Sequence, residues 1–217
     1  MNDTAQRNRH YRLALGLAVF TVVYNIVEGL VSIYFGITDE TLSLLGFGVD
    51  SFVEVISGIG IWHMVVRIRR HEGEDPDRFE RTALRITATA FYLLAAGLVA
   101  TAAANLYTGH RPITTFWGNV ISLVSISFMW LLIHYKVKVG TALGSQAIIA
   151  DAHCSRACMQ FSIVLLVASL GYQLTGIGYI DSLGALVIGA LAFKEGRESQ
   201  EKAKGKSSCG CGSSCSS

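Results

Sequence analysis

Residues 41–66, TLSLLGFGVDSFVEVISGIGIWHMVV, read as one membrane-crossing helix interrupted by two carboxylates, Asp50 and Glu54. At 1.5 Å per residue the stretch is long enough to cross about 30 Å of hydrocarbon. Asp50 and Glu54 are spaced i, i+4, so both side chains leave one face of the helix about a turn apart. Carboxylates at bilayer depth are costly, and those that occur usually line an ion path or a binding site. A second pair with the same spacing, Cys154 and Cys158, lies in another apolar stretch. On facing helices the two pairs would offer two oxygens and two sulfurs, a donor set that suits a tetrahedral divalent metal.

The rest of the chain has the same character. It has 217 residues, 51% of them hydrophobic, and its mean hydropathy is +0.44. Those values are high for a soluble domain of this size and point to an all-α, polytopic membrane protein. Six segments are long enough to span, near residues 11–36, 41–66, 80–108, 113–135, 141–174 and 177–194. They form a membrane domain over residues 1–194, followed by a short polar, Cys-containing tail at 195–217 that is expected to be disordered. The first apolar run is too long for a signal-peptide core and lacks a small-residue cleavage site, so it is expected to be a retained span. Short connections imply antiparallel neighbours. Five cysteines do not resemble a disulfide framework.

Charge placement orients the bundle. Arg7, Arg9 and Arg12 precede the first span, and Arg67, Arg69, Arg70, Arg78, Arg81 and Arg85 flank the second connection. Lys136 and Lys138 follow the fourth span, and Lys194, Arg197, Lys202, Lys204 and Lys206 follow the sixth. All of these fall on one side, whereas Arg111 falls on the other and Arg156 lies inside a span. The positive-inside rule then puts both termini in the cytoplasm of a multi-pass cell-membrane protein.

This orientation allows the donor pairs to be compared in depth. Counting down from Thr41 at the outer edge, Asp50 lies about 13 Å deep. Counting up from Thr141 at the inner edge, Cys154 lies about 20 Å in, or about 10 Å from the outer edge. The two pairs can meet at one level. A divalent ion there needs anionic ligands to replace its water, and thiolate favours softer ions such as zinc, cadmium or copper(I) over magnesium or calcium. Binding requires deprotonated sulfur, so loading should release protons and acid should weaken affinity. A lone buried Cys otherwise packs as a small hydrophobe. A disulfide between the two thiols is disfavoured, because helical Cβ vectors at i, i+4 do not converge.

Other polar groups are secondary candidates. His153 and Asp151 stand beside the thiols, His153 about 100° round the helix from Cys154, as an outer ligand, a proton group or a polar packing residue. Arg156 is a partner for Asp151, Glu28 or Asp181, or a charge that lowers thiol pKa. Asn25, Glu28 and Asp181 either bond between helices or line a path. The connection at 71–77, HEGEDPD, reads as a solvated loop more readily than as a weak ion site. Cys209, Cys211 and Cys215 in the tail suit capture of a soft metal, with reversible lipidation or plain disorder as the alternatives.

The stretches VDSFVEVISG at 49–58 and ADAHCSRAC at 150–158 resemble the second and fifth helices of the cation diffusion facilitator transporters, which carry D-x-x-x-D or H-x-x-x-D in the second helix and H-x-x-x-D in the fifth. RFERTAL at 78–84 is similar to the start of that family's third helix, and YIDSLGALVIGA at 179–190 to its sixth. The resemblance covers nearly all of residues 11–194 and implies a transport site at Asp50, Glu54, Cys154 and Cys158. It implies alternating access and exchange of metal for protons, with no permanently bound cofactor. Cysteines stand where the family has His and Asp in the fifth helix, which points to a softer cargo. The large cytoplasmic domain that follows the sixth helix in most members is expected to be absent, so a homodimer would rest on membrane helices.

The expectation is therefore a non-enzymatic, proton-coupled exporter of zinc, cadmium or a similar ion, whose partners are the metal, protons and the bilayer, with no nucleic acid. The rival readings are a metal-binding accessory or sensor protein and a membrane thiol oxidoreductase cycling Cys154 and Cys158.

Overall fold

Helix faces in this protein are sorted in the opposite sense to those of a water-soluble bundle. Along α1 (Asn2–Thr38) the buried stripe is polar, with Thr21, Asn25, Glu28 and Ser32 at helical spacing, while Phe20, Val23, Val27, Leu30 and Tyr34 are exposed. A helix solvated by lipid gains nothing by hiding leucine, and loses by exposing a carboxylate, so the polar stripe turns inward. Ser43, Asp50 and Ser51 on α2 (Leu42–Arg69) and Ser122 and Ser125 on α4 (Phe116–Leu143) follow the same rule.

The computed structural model describes residues 2–69, 78–109, 111–144 and 146–204; some side chains inside the helices, among them those of Asp151, His153 and Cys154, lie outside this description. The connection at 71–77 and the cysteines Cys209, Cys211 and Cys215 also lie outside it. The described residues form six helices, completed by α3 (Arg78–Thr108), α5 (Gln146–Thr175) and α6 (Tyr179–Ala203), and the fold is all-α as expected. Five of them are long and apolar enough to cross a membrane, by length and composition: Arg9–Thr38, Leu42–Gly60, Leu84–Thr108, Phe116–Leu143 and Ser155–Thr175. The apolar part of α6 is shorter, running from Asp181 to Lys194.

Three antiparallel pairs build the bundle: α1 with α2, α3 with α6, and α4 with α5. The central helix is α2, which also packs on α3, α5 and α6. Its inner face joins Leu44, Phe47 and Val53 to Phe91, Leu94 and Leu98 of α3, Phe161 and Leu165 of α5, and Ile188 of α6. The α1–α2 pair is close because glycines line its seam. A Cβ on Gly48 would lie 2.8 Å from the backbone nitrogen of Ile33, and one on Gly36 would lie 2.7 Å from that of Leu45. Small residues let membrane helices approach to backbone contact, where dispersion and polar groups hold them.

Three expected boundaries are corrected, the first being the start of the fifth helix, expected at Thr141 and found at Gln146, with Thr141 itself inside α4. The fourth helix runs to Leu143 and closes on Gly144, whose φ of 62° is left-handed, with its N–H bonded to Gly140 and Thr141 carbonyls. Lys136 therefore belongs inside α4 and is 1% exposed, instead of lying in a connection on the inner side. The sixth helix continues to Ala203, so residues 195–203, expected as the start of a disordered tail, are helical. The sequence EGRESQEKA favours helix, Lys194 and Glu198 pair at 3.7 Å across one turn, and Gly196 seats against Phe91 and Tyr92 of α3.

Gly48→Ala forces a Cβ into backbone and is expected to lower stability by about 1–3 kcal/mol. Gly16→Ala meets nothing within 4 Å and should leave stability unchanged or slightly raised; thermal unfolding in detergent micelles compares the two.

Candidate metal site

Three of the four sequence-chosen donors converge. Asp50 and Glu54 project from α2 and Cys158 from α5, and one ligand atom from each lies within 4.8 Å of the other two. Tetrahedral coordination at zinc–oxygen and zinc–sulfur bond lengths puts ligand atoms about 3.5 Å apart, a separation compatible with this spacing. Cys154 precedes Cys158 by one turn in α5, and its side chain lies outside the described residues.

Each donor has a different environment. Asp50 is fully buried, and neither of its carboxylate oxygens has a hydrogen-bond partner among the described residues. An unpaired, desolvated carboxylate is among the most expensive groups a protein can bury. Glu54 is half-buried at the floor of a cavity, and its Oε2 accepts a 3.0 Å hydrogen bond from Asn25 Nδ2 of α1. Cys158 is fully buried as a free thiol, against Met129 and Leu132 of α4. Its backbone carbonyl accepts from Ser162 Oγ at 2.9 Å, and Ser162 in turn shares a hydrogen bond with Ser125 of α4. That link fixes the position of the cysteine against α4.

A ring of helpers surrounds the cluster. Glu28 of α1 accepts from Tyr24 Oη at 2.7 Å and from Ser51 Oγ at 3.2 Å, so the residue next to Asp50 is tied to α1. Lys136 Nζ of α4 donates to Ser155 Oγ of α5 at 2.9 Å, and its charge lies within electrostatic reach of Glu54. Two carboxylates and a thiol thus face an interior in which Lys136 supplies positive charge. A cation entering this cluster replaces mutual repulsion with coordination.

Of the accessory residues named from sequence, Asn25 does reach the cluster. Asp181 does not. Its carboxylate accepts from the backbone N–H of Leu42 at 2.8 Å and of Ser43 at 3.1 Å, and from the Ser43 hydroxyl. It satisfies the unpaired first-turn amides of α2, where the helix dipole favours an anion. That end of α2 lies about 12 Å along the axis from Asp50. Asp151 and His153 lie on α5, and their side chains are outside the described residues. Arg156 is exposed on α5.

Sequence reasoning missed Lys136 and Ser155. A lysine after Tyr135 reads as the end of a span because its charge is costly in lipid. The available signal was its register, one turn beyond Leu132 on the face of α4 that is buried against Cys158. It also missed Thr87 of α3 and Glu195 of α6, which line the cavity beside Glu54.

Comparison with known proteins places this arrangement. Residues 17–202 match the family model for a cation efflux transmembrane domain. An uncharacterized transporter of Methanocaldococcus jannaschii is 27% identical over 180 residues, covering 81% of this chain and 63% of the relative. The chain thus spans 63% of the length of the curated relative it matches.

Asp181→Ala removes the anion from the start of α2 and should cost about 1–3 kcal/mol. Because Asp181 is remote from the donors, cadmium bound to the detergent-solubilised variant should show the same thiolate charge-transfer absorption at saturation as the unaltered protein.

Proposed function

We propose, from the premise that this chain belongs to the cation efflux family, that it is a secondary transporter of soft or borderline divalent cations whose transport site is Asp50, Glu54, Cys158 and Cys154. The observation that carries this reading is the Asp50 carboxylate, fully buried with both oxygens unpartnered and within 4.8 Å of Glu54 and Cys158 donors. Cys154 joins the set on its i, i+4 spacing from Cys158.

The choice of cargo follows from the donors. Two thiolates and two carboxylates match zinc and cadmium and disfavour ions that demand six oxygens. The ligands bind metal only when deprotonated, so protons and metal compete for the same atoms. Loading from the cytoplasm would expel protons from the site, and reprotonation from the outer side would release the ion and reset the cluster. Asn25, bonded to Glu54, holds one carboxylate in register with Asp50 while the cargo is absent. The positive-inside distribution supports cytoplasmic termini, and efflux from the cytoplasm is the direction the family's name describes. The thiol oxidoreductase reading has little to recommend it, because Cys158 is fully buried beneath Met129 and Leu132, out of reach of a redox partner.

Reconstituted flux with zinc, cadmium, cobalt, manganese and mercury across a pH gradient tests this proposal. Asp50→Asn should abolish transport. Cys154→Ser with Cys158→Ser should reduce cadmium flux at least about tenfold, in line with the sensitivity of metal sites to their ligand shells, and shift preference towards manganese. Cadmium binding in weakly buffered solution should release protons and weaken as pH falls. Unchanged cadmium flux in the double serine variant would refute the sulfur assignment. Wild-type protein that binds cadmium but moves none of the five ions would point to the accessory or sensor alternative.

A further inference from the structure

Beside the cluster lies a cavity of about 30 Å³, with Glu54 and Asn25 at its floor. It is walled by Thr21 of α1, Thr87 and Phe91 of α3 and Ser155 of α5, and its rim is formed by Glu195, Ser199 and Lys202 of α6. These rim residues are spaced i, i+4, i+7 and therefore share one face of α6. The cavity lies towards the end of the bundle where α6 finishes, the end that carries most of the Lys and Arg. The opposite end is tied by Asp181 on the start of α2, by Thr41 on the Thr114 carbonyl at 3.0 Å and by Tyr172 on the Pro112 carbonyl at 2.6 Å. Its own cavity of about 300 Å³ between Gly36, Thr41 and Asn105 touches none of the three donors.

Three features of the cavity suit a cation. First, two of its polar side chains hold unpartnered oxygens: Asn25 Oδ1 and Thr87 Oγ1, on residues 0% and 1% exposed. Buried oxygens without partners are rare in folded proteins and call for a ligand. Second, the space admits about two waters, far fewer than a fully hydrated divalent ion carries, so an ion passing through has to exchange water for fixed oxygens. Third, Glu195 at the rim lies within electrostatic reach of Asp50, so a carboxylate stands at the mouth as well as at the site. Lys202 lines the same rim, and with Lys194 and Glu198 it lies within electrostatic reach of Glu195.

We propose that this cavity is an access vestibule with ligands of its own, in which Glu195, Asn25 and Thr87 hold a partly hydrated divalent cation one step short of Asp50, Glu54 and Cys158. The proposal rests on the reading of that cluster as a metal site and adds the step that feeds it. The vestibule offers oxygen alone, so it admits hard and soft divalent ions alike, and selection by sulfur occurs only at the second step. Glu54 belongs to both and passes the ion between them.

The test is the rate at which cadmium reaches the thiolate, followed by stopped-flow ultraviolet absorption on the full chain in detergent micelles. Glu195→Gln should slow second-order association about three- to tenfold, the scale of electrostatic steering by one charge, and flatten its dependence on ionic strength. Thr87→Val should slow it less, and Glu40→Gln, at the opposite end of the bundle, should match the unaltered protein. All three should reach the unaltered final amplitude, which shows that the folded thiolate site is intact. Equal rates in all variants would overturn the vestibule, as would loss of final amplitude in Glu195→Gln, which would make Glu195 part of the sulfur site itself. Absence of flux in liposomes together with these rate effects would defeat the transport reading and leave the vestibule standing.

Discussion

A carboxylate inside hydrocarbon must find a hydrogen bond, a counter-charge, a proton or a metal, and the interior of this bundle is arranged around that demand. Glu28 is met by Tyr24 and Ser51, Glu54 by Asn25, and Asp181 by the open amides of α2. Asp50 alone of these four has both oxygens unmet among the described residues. Glu28 and Asp181 are thereby tied into the scaffold, Glu54 keeps one partner beside the cluster, and Asp50 is left with both oxygens open.

The backbone contacts serve this arrangement. Glycines at 29, 36 and 48 draw α1 onto α2, which brings Asn25 within bonding distance of Glu54 and Glu28 within reach of Ser51. On the other side, polar contacts join α4 to α5 alongside the packing of Met129 and Leu132 on Cys158: Ser125 meets Ser162, and Lys136 meets Ser155. Small polar residues at these seams supply close approach and hydrogen bonds together, in a medium where burial of apolar surface gives helices no reason to associate. Asp181, Thr41 and Tyr172 tie the end of the bundle where α2 begins, and the polar cavity beside Glu54 is lined by Glu195 and Lys202 towards the other end.

Most of the helices were legible residue by residue, and the exceptions share a cause. Hydropathy located the spans, but it ended the fourth at Tyr135 and the sixth at Lys194, at the first lysine in each case. Lysine marks a span's end only where lipid surrounds it. Lys136 faces Ser155 of a neighbouring helix, and Glu195 faces a cavity, so neither meets hydrocarbon. The candidate site was legible in part. Asp50 and Glu54 are one turn apart on one helix, whereas the depth count matched Cys154 to Asp50 from an inner edge at Thr141, a residue that belongs to α4. The meeting of Cys158 with the carboxylates came from the packing of α5 on α2.

The sequence by itself determined the all-α membrane class, the order of helices and the shared face of Asp50 and Glu54, because hydropathy, rise per residue and i, i+4 spacing are local properties of the chain. The tertiary structure decided which polar groups serve the cluster and which serve the scaffold. Asp181 was removed to the start of α2, and Lys136 and Ser155 were brought in, as were Thr87 and Glu195. Those assignments depend on which helices become neighbours and how each is rotated about its axis, and that is settled by glycine and serine contacts between segments far apart in the chain.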